Sequence, residues 1–291
     1  MMPLEKLLRA EARRLGVGVE VILKDYAIGH LLGAIASEPT LRDTLIFKGG
    51  TALKKLYFGD YRFSEDLDFT GAGAPTGAAL GAALRAVTGR AVMTLDARGP
   101  FVIELERQVH RDPHPGDQEA FDIRVQYPWQ RTPLCVVKVE ITVDEPVVCR
   151  PLWLPVLHGY GEAAPGSLLA YTLDEIVAEK LRAVLQCVAG NVRRGWTRSR
   201  PRDYYDLWRI LTSHASAIDA RGFPELLRRK CTVRAVEFSG AADFFPQPLV
   251  DATRETWVRS LDALVPDLPR FEDVLGSLVP RVTALLTGSG D

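Results

Sequence analysis

The stretch FKGGTALKKLYFGDYRFSEDLDFT, residues 47 to 70, constrains the fold more than any other part of this chain. It predicts a strand that ends at Gly49-Gly50, a short helix that carries Leu53 and Leu56, and a second strand through Asp66-Leu67-Asp68. Alternate residues of a strand project from one face, so the two carboxylates are expected side by side. Like charges this close repel each other unless a cation lies between them. The stretch therefore predicts a cation site on one face of a sheet.

The length and composition of the chain set its broad class. Its 291 residues allow one large domain or two modest ones, and 47% apolar residues suffice for a substantial core. The four cysteines form no C-x-x-C pair, and the start MMPLEKLLRAEARR has no apolar secretory segment. The apolar stretch from Tyr26 to Ala36 is far shorter than the ~20 residues that a membrane-spanning helix requires. We therefore expect a reduced, cytoplasmic protein without a membrane role.

Charge is unevenly distributed along the chain. The net charge is only −1, but residues 166 to 235 contain 13 Lys or Arg against 7 Asp or Glu, so the remainder is acidic. Such an asymmetry indicates a surface that faces a polyanion.

The spacing of apolar residues predicts an α+β fold. An α/β-type N-terminal part with a mixed sheet is expected to precede a helical C-terminal part, with a Pro- and Gly-rich passage between them at 146–165. The predicted helices are 3–15, 20–37, 77–87, 173–188, 203–211 and 223–230, followed by a helical tail from Asp251 that is broken by Pro266, Pro269 and Pro280. The predicted strands, besides the two in the opening stretch, are 102–109, 121–127 and 134–143.

Oxygen ligands on the acidic strand suit Mg²⁺. Asp66 and Asp68 are the predicted ligands, and a third carboxylate on a neighbouring strand would complete a site for in-line displacement at phosphorus. In VVKVEITVD, Glu140 falls on the polar face and is the preferred third ligand, with Asp144 in reserve. The alternative is that the D-x-D pattern is a solvated strand face, since short acidic motifs often occur without a metal.

The glycine pair precedes a helix start, where backbone N–H groups can approach a phosphate closely. Gly49, Gly50 and Thr51 would form this cradle, and Lys54 and Lys55 could add positive charge. Alternatively, a Gly-Gly turn with a Thr cap is an ordinary way to begin a helix. The stretch matches neither the P-loop nor the dinucleotide-binding pattern.

Lys180 lies within the apolar stripe of the helix predicted at 173–188, so it must either reach the helix edge or meet an anion such as a triphosphate. Beyond this helix Trp196 lies among five arginines, which suit phosphate contacts and base stacking on RNA. These are Arg193, Arg194, Arg198, Arg200 and Arg202. A solvated loop is the alternative for this run. Asp203 could orient Lys180, bind metal, act as a general base or cap a helix.

Taken together, these patterns resemble the AbiEii/AbiGii-type nucleotidyltransferase toxins, the family that includes the mycobacterial MenT enzymes. The resemblance covers most of the chain as an ordered set of short motifs. They are K-D at 24–25, F-K-G-G-T-A-L-x-K at 47–55, R-F-S-E-D-L-D-F at 62–69, V-x-V-E-I at 137–141, E-K-L-R-A at 179–183 and R-P-R-D-Y-Y-D-L at 200–207.

The resemblance implies a DNA-polymerase-β-like nucleotidyltransferase lobe and a helical C-terminal lobe, assigned here to residues 1–165 and 166–291. It implies that Gly50 and Thr51 contact the triphosphate of an NTP, that Asp66 and Asp68 hold Mg²⁺ or Mn²⁺, and that Lys180 and Asp203 are essential. Family members inhibit growth, some by adding nucleotides to the 3′ end of tRNA, and a neighbouring antitoxin restrains them. Thr51 stands where many nucleotidyltransferases have Ser, and the hydroxyl is retained.

The favoured function is therefore transfer of NMP from an NTP, with pyrimidines preferred, to an RNA 3′ end such as the tRNA acceptor stem. This transfer would block translation, and we expect the enzyme to be a monomer with a cognate antitoxin. The alternatives are transfer to a protein or small-molecule hydroxyl and a non-catalytic nucleotide-binding module. Ser64 projects to the same side as Asp66, so a phosphate on Ser64 would obstruct NTP binding. A solvent-exposed serine without such a role is the alternative.

Overall fold

The computed structural model describes residues 3–108, 118–162 and 166–288, and it shows an α+β fold. The chain divides into two compact units. The first comprises Met1–Val147 and Pro151–Ala170, and the second comprises Val148–Arg150 and Tyr171–Asp291. In the described ranges, no helix combines the length and apolar character needed to cross a bilayer.

The first unit is built on a seven-stranded mixed sheet in the order β3-β4-β5-β2-β1-β7-β6. Its strands are β1 (Leu45–Lys48), β2 (Asp66–Gly71), β3 (Val102–Gln108), β4 (Gln118–Gln126), β5 (Cys135–Thr142), β6 (Leu152–Pro155) and β7 (Ser167–Ala170). Its helices are α1 (Leu4–Leu15), α2 (Val19–Ala36), α3 (Pro39–Arg42), α4 (Gly49–Ala52) and α5 (Gly77–Leu95). Helix α4 continues into a π-helical turn, Leu53–Tyr57.

The centre of the sheet separates an apolar face from a polar one. Strand β2 runs antiparallel to β1 and parallel to β5, which aligns Asp68 with Lys48 on one side and with Glu140 on the other. Leu67 and Phe69 are fully buried, whereas Asp66 and Asp68 are half-buried. Helices α2 and α5 pack against each other and contact β5 and β3, respectively. The alternation of strand residues thus directs the carboxylates away from the apolar core.

Helix α2 lies in the core of the first unit, and it is apolar around most of its circumference. Two of its buried residues are nevertheless polar. Asp25 accepts hydrogen bonds from Lys55 Nζ at 2.7 Å and from the Tyr160 hydroxyl at 2.8 Å. His30 lies against Glu162. A buried charge is tolerated only with such partners, so these contacts fix the helix in register with the residues around it.

The second unit is helical in its described part. It contains α6 (Leu173–Arg194), α7 (Pro201–Ser213), α8 (Phe223–Val233), α9 (Gln247–Leu261) and α10 (Phe271–Thr287). Helix α7 contacts α6, α9 and α10. Glu175 is fully buried, pairs with Lys230 at 2.7 Å and accepts hydrogen bonds from the backbone N–H groups of Val148 and Cys149. These bonds explain why residues 148–150 belong to this unit.

The structure confirms most of the predicted elements and differs at several places. Strands β6 and β7 were not predicted, because four residues are too few for a clear alternation. Helix α5 continues past Gly89 to Leu95, since its buried stripe extends through Ala91. Helix α10 likewise passes through Pro280, where a break was expected, and its apolar stripe continues on both sides. Val109, the predicted last residue of β3, lies outside the described residues.

Candidate active site

The turn at the end of β1 requires glycine at two positions for different reasons. Gly49 has φ +78°, in the left-handed region, and a Cβ there would collide with the Asp68 carboxylate. A Cβ at Gly50 would lie 2.5 Å from Arg62 Nη2 and 3.2 Å from Ser64 Oγ. The backbone of the glycine pair therefore runs directly beside a carboxylate, a buried guanidinium and a hydroxyl.

Thr51 fixes this turn to the acidic strand. Its hydroxyl donates a hydrogen bond of 2.5 Å to the backbone carbonyl of Asp66, and the side chain is almost fully buried. The hydroxyl is therefore engaged in positioning α4 against the first residue of β2. Threonine is small and carries a hydroxyl donor, so it fits where a helix and a strand approach so closely.

The three predicted carboxylates project from one face of neighbouring strands. Asp68 is the register partner of Glu140, and Asp66 is the partner of Lys138. Lys138 forms an ion pair with Glu140. This hydrogen bond, with the charges of Glu140, Asp66 and Asp68, raises the pKa of Lys138 against the opposing effect of burial. The cluster therefore has enough negative charge to hold a cation, and Lys138 already neutralises part of that charge.

The donor set fits a hard divalent cation best at Asp66 and Asp68. Both supply carboxylate oxygens from one face of β2, and the Asp68 carboxylate lies directly beside the glycine turn. Glu140 would first have to give up its contact with Lys138. Asp144, the reserve ligand, is exposed two residues beyond the end of β5. In the described ranges, the set of three metal-ligating side chains whose atoms lie within 4.8 Å of one another is a different one, His30, His158 and Glu162.

The two lysines after the glycine pair are held in different environments. Lys54 donates a hydrogen bond to the Gly59 carbonyl at 2.8 Å and lies over the Phe63 ring. Burial, reinforced by the charge of Lys55, lowers the pKa of Lys54. Lys55 is only 2% exposed and pairs with Asp25, so its role is structural and the expected contribution to phosphate binding is wrong for this residue.

In the second unit, Lys180 meets two carboxylates. Its Nζ lies 2.6 Å from Asp206 Oδ2 and 3.3 Å from Asp203 Oδ1. Asp203 also pairs with Arg200 Nη1 at 3.2 Å. Asp203 lies in the first turn of α7, where a negative charge is favourable, and its side chain makes these pairs rather than a helix cap. The apolar stripe of α6 thus accommodates Lys180 because α7 supplies its counter-ions.

The arginine-rich run is ordered by the helices on either side of it. Helix α6 extends to Arg194, so Arg193 lies in its last turn, and the side chain of Arg194 lies outside the described residues. Asn191 accepts a hydrogen bond from the Arg198 N–H at 2.9 Å and donates one to the Arg198 carbonyl at 3.3 Å. Arg193, Trp196 and Arg198 are exposed, whereas Arg200 and Arg202 are half-buried. The exposed cationic surface is therefore smaller than the sequence indicated.

Comparison with known proteins places the chain in a family. The family model described as "Nucleotidyl transferase AbiEii toxin, Type IV TA system" matches residues 30–277. The chain belongs to the AbiEii nucleotidyltransferase toxin family. Two solved structures share the fold of this AbiEii protein, while a search of the curated proteins gave no match.

One of these structures is MenT4, a nucleotidyltransferase toxin from Mycobacterium tuberculosis H37Rv. It has a TM-score of 0.58 and 23% identity, and the match covers 99% of this chain and 89% of MenT4. The other is a protein from H. pylori assigned as a nucleotidyltransferase. It has a TM-score of 0.53 and 20% identity, with 90% of this chain and 96% of the other covered. The fold of the AbiEii protein is thus that of nucleotidyltransferases, and NTP is the substrate class that the family implies.

Sequence reasoning assigned no role to Arg62 or Asp206, which the structure places beside candidate residues. Arg62 is 4% exposed next to Gly50, and Asp206 is fully buried against Lys180. For Asp206 a signal existed, because it falls on the buried face of α7 with Tyr204, Leu207 and Ile210. A charge on an apolar helix face requires a partner, and Lys180, on the apolar stripe of the neighbouring helix, carries the opposite charge.

We expect Gly49→Ala to lower the free energy of unfolding by at least ~1–2 kcal/mol, the cost of a left-handed non-glycine residue. The new Cβ would also collide with the Asp68 carboxylate, so the true loss is larger. Gly59→Ala is the matched control, because Gly59 is exposed and a Cβ there meets open space. Urea unfolding measures both variants, and equal midpoints would contradict the proposed geometry of the turn.

Proposed function

We propose that this AbiEii protein transfers NMP from an NTP, with pyrimidines preferred, to the 3′ end of an RNA, and that the tRNA acceptor stem is its target. The 3′ hydroxyl oxygen would form the new bond to the α-phosphorus, and pyrophosphate would leave with the electron pair of the broken bond. The product could no longer support translation, and a cognate antitoxin would restrain this activity. The observation that carries the proposal is the Asp66–Asp68 pair beside the Gly49-Gly50 turn.

Asp66 and Asp68 would hold the divalent cation, Mg²⁺ or Mn²⁺. When bound, such an ion neutralises charge on the phosphoryl group and on the leaving pyrophosphate. The half-buried position of both carboxylates supports this role, because they are reachable yet partly shielded from solvent. Glu140 is the proposed third carboxylate, and Asp144 remains the alternative.

The nucleotide would bind through the backbone of Gly49, Gly50 and Thr51, since the Thr51 hydroxyl is engaged with Asp66. Lys54 would contribute positive charge, and the neighbouring Arg62 makes this turn more favourable for a triphosphate. Lys180 and Asp203 are further proposed catalytic residues, with Asp203 orienting the Lys180 ammonium. The pairing of Lys180 with two carboxylates supports this assignment, because it fixes the position of an ammonium that is only 8% exposed.

Labelling with each of the four radioactive NTPs in the presence of Mg²⁺, total RNA and total protein tests this function. We expect label in RNA of tRNA size, mainly from a pyrimidine NTP. Asp66→Asn, Asp68→Asn and Lys180→Met should each reduce it at least ~100-fold, the scale of losing one charge-stabilising group. Glu106→Gln is the control, because Glu106 is an exposed carboxylate of the same sheet that pairs with Arg124.

Label in protein would instead support transfer to a protein hydroxyl. Absence of label, or full labelling by Asp66→Asn, would contradict the proposed enzyme.

The third carboxylate is identified by comparing Glu140→Gln with Asp144→Asn in the same labelling assay, since the variant that loses more labelling has lost the ligand. Gel filtration coupled to light scattering gives the molar mass in solution and so tests the proposed monomer.

The four cysteines are all free, which agrees with the proposed cytoplasmic location.

The proposed RNA surface is the cationic run at the end of α6. Arg193 and Arg198 flank the exposed Trp196, on which an unpaired base could stack. Arg194 and Arg202 are further candidates. Arg200 pairs with Asp203 and donates its backbone N–H to Thr253 Oγ1, so it would support this surface structurally as well as by its charge.

We expect the double variant Arg193→Gln/Arg198→Gln to weaken RNA binding and to reduce the slope of log K against log salt by about 1.4, because each phosphate contact on a single strand contributes about 0.7. Arg228→Gln/Arg229→Gln is the matched control, since these arginines are equally exposed on α8. Fluorescence anisotropy with labelled tRNA at several salt concentrations gives both slopes. Equal slopes for the two double variants would exclude the run as the RNA surface.

Ser64 is a proposed regulatory phosphosite. Its hydroxyl lies beside Gly50, in the turn assigned to the triphosphate. A phosphate there would bring about −1.5 to −2 charges at neutral pH and repel the substrate.

We expect Ser64→Asp to raise the apparent KM for NTP at least ~10-fold, as expected for about 1.4 kcal/mol of repulsion. Ser64→Asn, which has a similar size and no charge, should retain most of the affinity. Steady-state labelling over a range of NTP concentrations distinguishes the two. Equal KM values for Asp and Asn would show that charge at this position does not control binding.

A further inference from the structure

Two histidines and a glutamate form a buried cluster in the first unit, separate from the acidic face of the sheet. His30 lies on α2, and His158 and Glu162 lie in the connection that follows β6. Glu162 Oε2 is 3.1 Å from His30 Nε2 and 3.3 Å from His158 Nε2. The side chains of His30 and His158 are 9% and 2% exposed, respectively.

The other oxygen of Glu162 is already held in place. Its Oε1 accepts a hydrogen bond from the Tyr26 hydroxyl at 3.0 Å and pairs with Arg98 Nη2 at 2.6 Å. These contacts orient the carboxylate and leave Oε2 facing the two imidazoles. Partners of this kind commonly orient metal-ligating carboxylates.

Two buried nitrogens of the cluster, His30 Nε2 and His158 Nδ1, make no hydrogen bond to the described residues, whereas His158 Nε2 is hydrogen-bonded to Glu162 Oε2. His30 Nε2 makes no hydrogen bond within the described ranges, although it lies close to Glu162. Burial lowers the pKa of His30, and burial together with the charge of Lys55 lowers the pKa of His158 to about 4. The neutral imidazole is the form that binds metals.

The spacing of the three ligand atoms matches a tetrahedral metal site. Metal–ligand bonds of about 2.0–2.1 Å place neighbouring ligand atoms about 3.3 Å apart. The two N···O distances agree with this spacing, and the ligand atoms of the three residues lie within 4.8 Å of one another. Nitrogen-rich ligand sets select Zn²⁺ and similar transition metals rather than Mg²⁺.

Gly29 also indicates that the position of the His158 ring is specific. A glycine inside a helix costs ~0.5–1 kcal/mol relative to alanine. A Cβ at Gly29 would collide with His158 Nδ1, so glycine makes space for the imidazole.

We propose that His30, His158 and Glu162 bind one Zn²⁺ ion, with water as the fourth ligand, and that this ion ties α2 to the connection between β6 and β7. Full-length protein freed of metal with a chelator should bind one equivalent of Zn²⁺ by calorimetry. Co²⁺ should give the visible absorption bands of tetrahedral coordination. Zn²⁺ at about 100 times its Kd should raise the melting temperature by ~5–10 °C.

Single variants His30→Gln, His158→Gln and Glu162→Gln should each abolish the Co²⁺ bands, and Tyr26→Phe should weaken Zn²⁺ binding about 10-fold. The double variant Asp66→Asn/Asp68→Asn must still bind one equivalent of Zn²⁺, which distinguishes this site from that of the proposed catalytic cation. His214→Gln and a double variant of His110 and His114, which lie outside the described residues, must also retain it. Circular dichroism confirms that each variant is folded.

X-ray absorption of the zinc-loaded wild-type protein tests the site without any substitution. It should show nitrogen and oxygen ligands only, with the outer-shell scattering of two imidazoles. Failure to bind Zn²⁺ at micromolar concentration, a spectrum without two imidazoles, or full binding by both histidine variants would overturn the proposal.

Discussion

The pairing of β1 with β2 is the constraint on which the rest of the candidate site depends. It places Lys48 opposite Asp68, so the chain must turn at Gly49 directly beside a carboxylate. Only glycine has both the conformational freedom and the size for this turn. The parallel pairing of β2 with β5 then adds Glu140 to the same face. Carboxylates on adjacent strands repel one another, a cost that Lys138 partly offsets here and that a bound cation would reduce further.

Buried ion pairs occur in both units and change how several motif residues are interpreted. Asp25 with Lys55, Glu175 with Lys230, and Asp206 with Lys180 each include a partner that is at most 2% exposed. Removing one partner of such a pair typically costs about 3–5 kcal/mol, because the other charge is left buried. A residue in a family motif can therefore be essential for folding, for catalysis or for both. The buried pair with Asp25 indicates the first class for Lys55, and Lys180 is proposed for catalysis.

The first unit presents two different environments for cations. The acidic face of the sheet offers carboxylate oxygens and suits a hard ion that engages phosphates. The cluster around Glu162 offers two neutral imidazoles in a buried setting and suits a transition metal. The two environments differ because they lie in different parts of the first unit. The strand face is reachable from solvent, whereas α2 and the β6–β7 connection bury their polar groups against each other, where an unsatisfied nitrogen is costly.

The sequence by itself determined the α+β class, the strand–turn–helix–strand arrangement of residues 47–70, and the position of Asp66 and Asp68 on one face of their strand, whereas the pairing of β2 with β5 added Glu140. These features depend on local periodicity and on the conformational freedom of glycine at a turn. Only the tertiary structure decided which charges are paired: Lys55 with Asp25, Lys138 with Glu140, and Lys180 with Asp206. It also brought together His30 and His158, which are far apart in the chain. Neither result could come from spacing, because the energy of a charge or an imidazole depends on neighbours that the fold supplies from distant segments.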